Sequence, residues 1–262
     1  MNYLDLFSGI GGFALGAKRA GLVFDNHFNS DIDDFCNGVY ATHFPESVNL
    51  GDITKIDGVE LRNNYGEEWI ITGGFPCQDV STTGLRKGIG DGTRSGLWSH
   101  YARLIGELKP KLCIIENVRG LLSLGFTRVL QDLANIGFDA EWKVIRACDV
   151  GLPHNRQRVW IVANPSGDGR TTTSELPAIP RDMGGLQQSD GSIDWVAIRA
   201  FGESAKAARS FRGQPLVYRR DYGLSKQLFE LERRRVKALG NSLVPTIAED
   251  IFRRWRSSQW AT

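Results

Sequence analysis

The run Asp5-Leu-Phe-Ser-Gly-Ile-Gly-Gly-Phe13 constrains the fold more than any other part of this sequence. It follows a short apolar stretch, Tyr3–Phe7, and leads into residues spaced as one face of a helix, Phe13–Ala20. A chain that leaves a strand and starts a helix within a few residues needs backbone angles that glycine adopts without penalty. The first N–H groups of the helix then point at whatever lies above the turn, which suits a ligand. Gly9, Gly11 and Gly12 do not complete the usual dinucleotide spacing, because Ala14 stands at its last position, although that fingerprint tolerates alanine there. On its own, such a turn is more often a structural device than a nucleotide site.

The alternation that this turn begins continues to Asn164. Further strands are expected at Val23–Asn29, Trp69–Thr72, Leu112–Glu116, Glu141–Arg146 and Val159–Ala163, with helices at Asp33–His43, Leu97–Leu108 and Thr127–Ile136. Short apolar runs separated by amphipathic stretches are the mark of β-α units on a largely parallel sheet, the α/β class. From Pro165 to about Asp221 the pattern breaks into Gly, Ser and Pro punctuation, with only hints of order at Trp195–Phe201. This stretch is either a small loop-rich domain or a partly disordered insertion. Order returns in LGNSLVPTIAEDIFRRW, where Pro245 sits near a helix start and Ile247, Ile251 and Trp255 share one face. The expected division is 1–164, 165–225 and 226–262, with the last helix packing back on the first part. No internal repeat is visible.

Composition excludes several classes. With 262 residues, 41% hydrophobic and 24% charged, the chain can bury a full core. Cys36, Cys77, Cys113 and Cys148 are far apart with no C-x-x-C pair, which suggests neither a disulfide framework nor a zinc site. A reducing, cytoplasmic setting is expected. No apolar run approaches the roughly 20 residues that cross a bilayer. The N-terminus has its basic residues after the apolar stretch, the reverse of a secretion signal. Charge is uneven: residues 1–164 carry 16 Lys and Arg against 19 Asp and Glu, net −3, whereas 165–262 carry 16 against 11, net +5. A basic half that includes Arg233, Arg234, Arg235, Arg253, Arg254 and Arg256 can attract a polyanion; a solvated helix face explains any one of these equally well.

Three positions carry chemistry. Asp31, just past the second strand, can accept hydrogen bonds from ribose hydroxyls, and Asp52, in Gly51-Asp52-Ile53, can bind an adenine amino group. Each alone is more often a helix cap or turn residue, and in register with the glycine turn the two reinforce each other. Cys77, in Gly73-Gly74-Phe75-Pro76-Cys77-Gln78, stands at the end of a parallel strand in a turn shaped by proline and glycine, where doubly wound folds bind ligands. A thiolate there is a nucleophile. Cys36, Cys113 and Cys148 are expected to be buried and structural.

At this point the chain resembles the DNA (cytosine-5) methyltransferases. The signatures are DLFSGIGG, the acidic residue after the second strand, GDI, GFPCQ, ENV, the basic N-R-Q-R and LGNSLVP, in that order over residues 3–164 and about 236–252. The resemblance implies a Rossmann-like S-adenosylmethionine-dependent methyltransferase sheet with helices on both faces, plus a small loop-rich target recognition domain at 165–225. It implies transfer of a methyl group from S-adenosylmethionine, without a metal, to carbon-5 of an extruded cytosine in duplex DNA. Cys77 would add to carbon-6. Glu116, with its pKa raised, would meet the ring nitrogen and the exocyclic amine, and Arg158 would hold the carbonyl oxygen and orient Glu116. Arg156 would join this catalytic set as a structural or backbone-contacting cation. His154 stands where the family's basic motif has glutamine, and a supporting contact is expected to survive.

The same resemblance implies a cofactor pocket formed by Asp5, Phe7, Gly9, Ile10, Gly11 and Gly12, by Asp31 and Ile32, by Asp52 and Ile53, by Gly74 and Pro76, by Leu97, and by Asn241 and Ser242. The glycine-rich segment Asp79–Ser95 would close over DNA, with Gln78, Ser81, Arg86, Lys87 and Arg94 meeting it. Among Arg170, Arg181, Arg199, Arg209, Arg212, Arg219 and Arg220, some would read guanines or phosphates. The implied protein is a monomer in the cytoplasm, of bacterial, prophage or phage origin, with a cognate restriction endonuclease as a companion. Two rivals share parts of the pattern. A transfer-RNA-methylating branch has the same fold but carries a second proline where this chain has Phe75, and a nicotinamide-dependent oxidoreductase explains the glycine turn but leaves Cys77, Glu116 and Arg158 without a purpose. A catalytically silent DNA-binding relative would not need every reacting residue.

Overall fold

A computed structural model of the chain describes residues 1–76, 96–152, 154–167 and 226–259. Its sheet consists of β1 (Asn2–Leu6), β2 (Asn26–Ser30), β3 (Val48–Asn49), β4 (Trp69–Gly73), β5 (Leu112–Val118), β6 (Phe138–Arg146) and β7 (Gln157–Pro165). Their order across the sheet is β3-β2-β1-β4-β5-β7-β6. The first five run parallel, and β7 enters antiparallel to β5. Every residue of β1 and β4 is buried, as expected for strands covered on both faces. The six expected strands are all present within a few residues of their expected bounds. Only β3 escaped, because two exposed residues are too few to show alternation.

The helices are α1 (Gly12–Arg19), α2 (Asp34–His43), α3 (Gly58–Tyr65), α4 (Leu97–Leu108), α5 (Leu121–Leu124), α6 (Phe126–Asn135), α7 (Lys226–Asn241) and α8 (Pro245–Gln259). Parallel strands joined by right-handed crossovers place helices by the direction of travel across the sheet. Moving outward from β1 to β2 and β3 puts α1 and α2 on one face; moving the other way, from β3 to β4 and β5, puts α3 and α4 on the opposite face. The packing agrees, with α3 against α4 and α1 against α8. Helix α3 escaped sequence reading because VELRNNY has little apolar periodicity; Asp57 starts it by accepting the Glu60 N–H at 2.9 Å.

Helix α8 rests on α1, with Ile247 and Ile251 buried beside Ala248 and Phe252, while Trp255 is half-buried. The helices approach closely at Gly16, where a Cβ would lie 2.7 Å from Ala248 Cβ and 2.9 Å from the Glu249 nitrogen. Gly16→Ala is therefore expected to destabilise by about 2 kcal/mol, despite the roughly 1 kcal/mol alanine gains over glycine in a helix, and urea denaturation measures it. Two of the C-terminal arginines reach back to α1. Arg253 donates to the Arg19 carbonyl, and Arg256 to those of Ala20 and Gly21, each at 3.2 Å, satisfying the end of α1.

The chain divides into two compact units. One comprises Met1–Ile145, Gln157–Pro177 and Ser242–Thr262, and the other comprises Arg146–Arg156 and Ala178–Asn241. No described helix is long and apolar enough to cross a membrane.

Candidate active site

Strand register brings the candidates to one level. Leu6 is level with Ser30 on one side and Gly73 on the other, and Gly73 is level with Ile115. One residue further, at the carboxyl edge, come Asp31, Phe7, Gly74 and Glu116. This edge surrounds the point between β1 and β4 where strand order reverses, the place where open α/β sheets bind ligands.

On the β1 side the turn is tightly wound. Phe7, Gly9 and Gly11 have φ of 52°, 52° and 86°, and Phe7 is one of only two non-glycine residues with positive φ among those described. A bulky residue held there stores strain that the rest of the fold must sustain, a frequent property of ligand turns. Asp31 helps to sustain it: its Oδ2 accepts the Gly9 N–H at 2.8 Å and its Oδ1 the Asp33 N–H at 2.9 Å. A carboxylate has about four acceptor positions, so room remains for a ribose hydroxyl. Beside it Ile32 is 78% exposed, an apolar side chain with little to cover it. A Cβ on Gly9 or Gly51 would meet nothing within 4 Å, so the backbone there faces open space. Asp52 is half-buried, with its carboxyl held below the usual range by the Thr54 N–H. These features fit a nucleoside with a flat apolar ring. Ile10 is half-buried, and the Ile53 side chain is buried, leaving only its backbone to face a ligand.

Asp5 departs from the expectation that it contacts the cofactor. It is fully buried beneath the turn, where Thr72 Oγ1 donates to Oδ1 at 2.9 Å and Tyr40 Oη to Oδ2 at 3.3 Å. Tyr3 joins through Thr72 at 2.8 Å, and His27 through Tyr40 at 2.8 Å. Burial pushes the Asp5 carboxyl up to about 8, against the lowering pull of those hydrogen bonds. Asp5 therefore supports the turn from below.

Gly12 opens α1 under Leu243, whose Cγ would lie 2.8 Å from a Cβ at that position. This contact brings Leu243 to the glycine turn, with Ser242 half-buried one residue before it. Asn241 is exposed at the end of α7, in the other unit.

Glu116 and Arg158 are diagonal neighbours on β5 and β7: Glu116 pairs with Trp160, and Arg158 pairs with Val118. Diagonal residues of an antiparallel pair share a face and lie within reach of long side chains. Arg158 Nε stands 2.9 Å from Glu116 Oε1, with side chains only 20% and 11% exposed. Glu116 Oε2 turns toward the β4 turn, and a Cβ on Gly74 would lie 3.0 Å from it. Glycine at 74 thus lets the carboxylate approach the backbone three residues before Cys77. Asn117, to which sequence reading assigned no part, donates from Nδ2 to the Phe75 carbonyl at 3.0 Å and pins the same turn. The asparagine of ENV was visible; its target was not. Pro76 and Leu97 are half-buried on either side of the 77–95 segment. Cys77, Gln78, Ser81, Arg86, Lys87 and Arg94 lie outside the described residues, as do Arg170 and the other arginines of 165–225 named above.

Other expectations fare differently. Arg156 Nη1 donates to the Gly240 carbonyl at 2.6 Å, the backbone-contacting alternative. His154 is exposed and makes no hydrogen bond to any described residue. Cys36 and Cys113 are buried, and burial pushes the Cys113 thiol up to about 12, but Cys148 is exposed. An isolated cysteine in a short turn, Ala147–Val150, gave no periodicity from which exposure could be read.

This strand order and site edge define a methyltransferase sheet of the S-adenosylmethionine-dependent kind. A chain described as a DNA modification methyltransferase encoded within a prophage of E. coli superposes with a TM-score of 0.56 at 27% identity, covering 69% of this chain and 52% of that one. Among curated proteins, Type II methyltransferase M1.ScrFI of Lactococcus lactis subsp. cremoris is 37% identical over 163 residues, 61% of this chain and 40% of that one. M.NgoBI of Neisseria gonorrhoeae is 37% identical over 61% of this chain and 49% of its own length. The chain thus spans about half or less of the length of these curated relatives. The model of the C-5 cytosine-specific DNA methylases matches residues 1–184, and the chain belongs to that family. Membership leaves the oxidoreductase reading without support.

Proposed function

We propose that this chain is a DNA (cytosine-5) methyltransferase that uses Cys77 as nucleophile. The observation that carries the reading is the Glu116–Arg158 pair, 2.9 Å apart at the strand edge, with the other carboxylate oxygen against the turn that leads to Cys77. Carbon-5 of cytosine is too electron-poor to attack a methyl donor. A thiolate adding at carbon-6 turns the ring into an enamine and pushes electrons toward the ring nitrogen beside the amino-bearing carbon. Glu116 meets that nitrogen and the amine, so charge is neutralised where it develops. Arg158 orients the carboxyl and leaves guanidinium N–H groups for the ring carbonyl. Phe7, Gly9, Asp31, Ile32 and Asp52 would hold S-adenosylmethionine, which when bound supplies the electrophilic methyl group. After transfer, loss of the carbon-5 proton lets Cys77 leave. The base must be extruded from the helix, because it is inaccessible within the stack. The relatives' type II names support a cytoplasmic restriction–modification setting with a cognate endonuclease.

Duplex DNA carrying 5-fluorocytosine tests this. Fluorine cannot leave as the proton does, so with S-adenosylmethionine a denaturant-stable protein–DNA adduct is expected, and it should vanish in Cys77→Ala. Absence of adduct across a broad pool of sequences sinks the mechanism. Transfer RNA offered in a methyl-transfer assay should accept no methyl; methylation of RNA alone would move the assignment to that substrate.

A further inference from the structure

The segment after β3 is clamped at both ends. At its start Asp52 caps the short helical turn Ile53–Lys55 by accepting the Thr54 N–H at 2.9 Å. At its end α4 supplies two side chains. Arg103 Nη2 donates to the carbonyls of Ile56 at 3.0 Å and Ile53 at 3.4 Å, while Nη1 donates to both oxygens of Glu107 at 2.9 and 2.8 Å. Glu107 Oε2 in turn accepts the Gly58 N–H at 2.9 Å. A cation at the carbonyl end of one helical turn, and a carboxylate at the first N–H of α3, each sit where the peptide dipoles favour them. Only a guanidinium, with donors arranged as a rigid fork, serves a carboxylate and two carbonyls together. The approach depends on Gly58, since a Cβ there would lie 2.6 Å from Glu107 Oε2 and 2.9 Å from Glu107 Cβ.

Burial alone does not explain this clamp. The Ile53 and Ile56 side chains are already held in the core, at 4% and 6% exposure, beside Leu104. Apolar contact is non-directional, however, whereas hydrogen bonds to carbonyls fix the orientation of peptide planes. The backbone being fixed is the one that presents Asp52 and Ile53.

We propose that Arg103, held by Glu107, is a positioning residue for the purine end of the cofactor site, tying that backbone to the helix that begins at Leu97. The inference rests on the cofactor reading of Asp52 and Ile53 given above. It is tested with Arg103→Met, Arg103→Lys and Gly58→Ala by steady-state kinetics and by binding of S-adenosylhomocysteine and of 5′-methylthioadenosine, the nucleoside half alone. In Arg103→Met, KM for S-adenosylmethionine and both dissociation constants should rise about tenfold, while kcat at saturating cofactor and KM for DNA stay within about twofold. Arg103→Lys should recover part of the loss, and Gly58→Ala should reproduce it without a change of charge. Should Arg103→Met fail to fold, Arg103→Lys and Gly58→Ala carry the same measurements. Cofactor affinity unchanged in the variants, or a fall in kcat with KM unmoved, overturns the proposal. A wild type that neither binds S-adenosylhomocysteine nor transfers methyl sinks the functional reading instead, so the two failures are distinguishable.

Discussion

Glu116→Gln is expected to lower kcat for DNA methylation by about 10³, within the range that a positioned proton donor contributes. Glutamine keeps the shape of the side chain, and its carbonyl oxygen can still accept from Arg158. What it loses is the ability to share a proton with the ring nitrogen. The expected loss is therefore in kcat, with binding of cofactor and DNA little changed, and the 5-fluorocytosine adduct should form at least as slowly as turnover. Arg158→Lys should cost about 10², since an ammonium cannot offer two separated donors. Because Arg158 acts partly through Glu116, the double variant should lose much less than the product of the two factors. A Glu116→Gln protein within tenfold of the wild-type kcat would remove Glu116 from the mechanism.

Asp5→Asn should stabilise the folded protein, and increasingly so as pH rises. The Asp5 carboxyl is raised in the folded chain from its ordinary 3.8 to about 8, first by burial. A raised folded-state value means the native protein keeps a proton that the unfolded chain gives up. Its contribution to stability is fully present below pH 4, declines as pH rises toward 8, and is flat beyond. The neutral amide has no such dependence. The gap in stability between Asp5→Asn and wild type should therefore widen by on the order of 5 kcal/mol from pH 4 to pH 8, measured by urea denaturation across that range. A gap that does not change with pH would show that Asp5 is not held protonated. Asparagine offers its oxygen to one of the Thr72 and Tyr40 hydroxyls and an N–H to the other, which turns to accept it, so cofactor binding at the turn should persist.

Much of the site is legible in the order of the residues. DLFSGIGG announces a strand-to-helix turn because glycine spacing is a local requirement of the backbone, and the turn indeed holds Phe7, Gly9 and Gly11 at positive φ. Helix α4 has the bounds its pattern predicts, Leu97–Leu108, because its apolar residues keep one face over three turns. Short or non-periodic signals carry no such information: β3 has two residues, and α3 is defined by its cap more than by its pattern.

The sequence by itself determined the class of fold and the family, since periodicity, turn glycines and ordered motifs are properties of the chain taken in order. The tertiary structure decided what each residue faces. Asp5 and Asp31 look alike in sequence, yet one is sealed under the turn and the other is half-buried on it. Arg156 and Arg158 are two apart on adjoining segments, yet one reaches the Gly240 carbonyl and the other Glu116. Arg103 and Glu107 form an i,i+4 helix ion pair, and the tertiary structure brings Ile53, Ile56 and Gly58 against it. Ile56 is 47 residues from Arg103 along the chain and Gly240 is 84 from Arg156, so only the packing of strands and helices brings such partners within hydrogen-bonding distance.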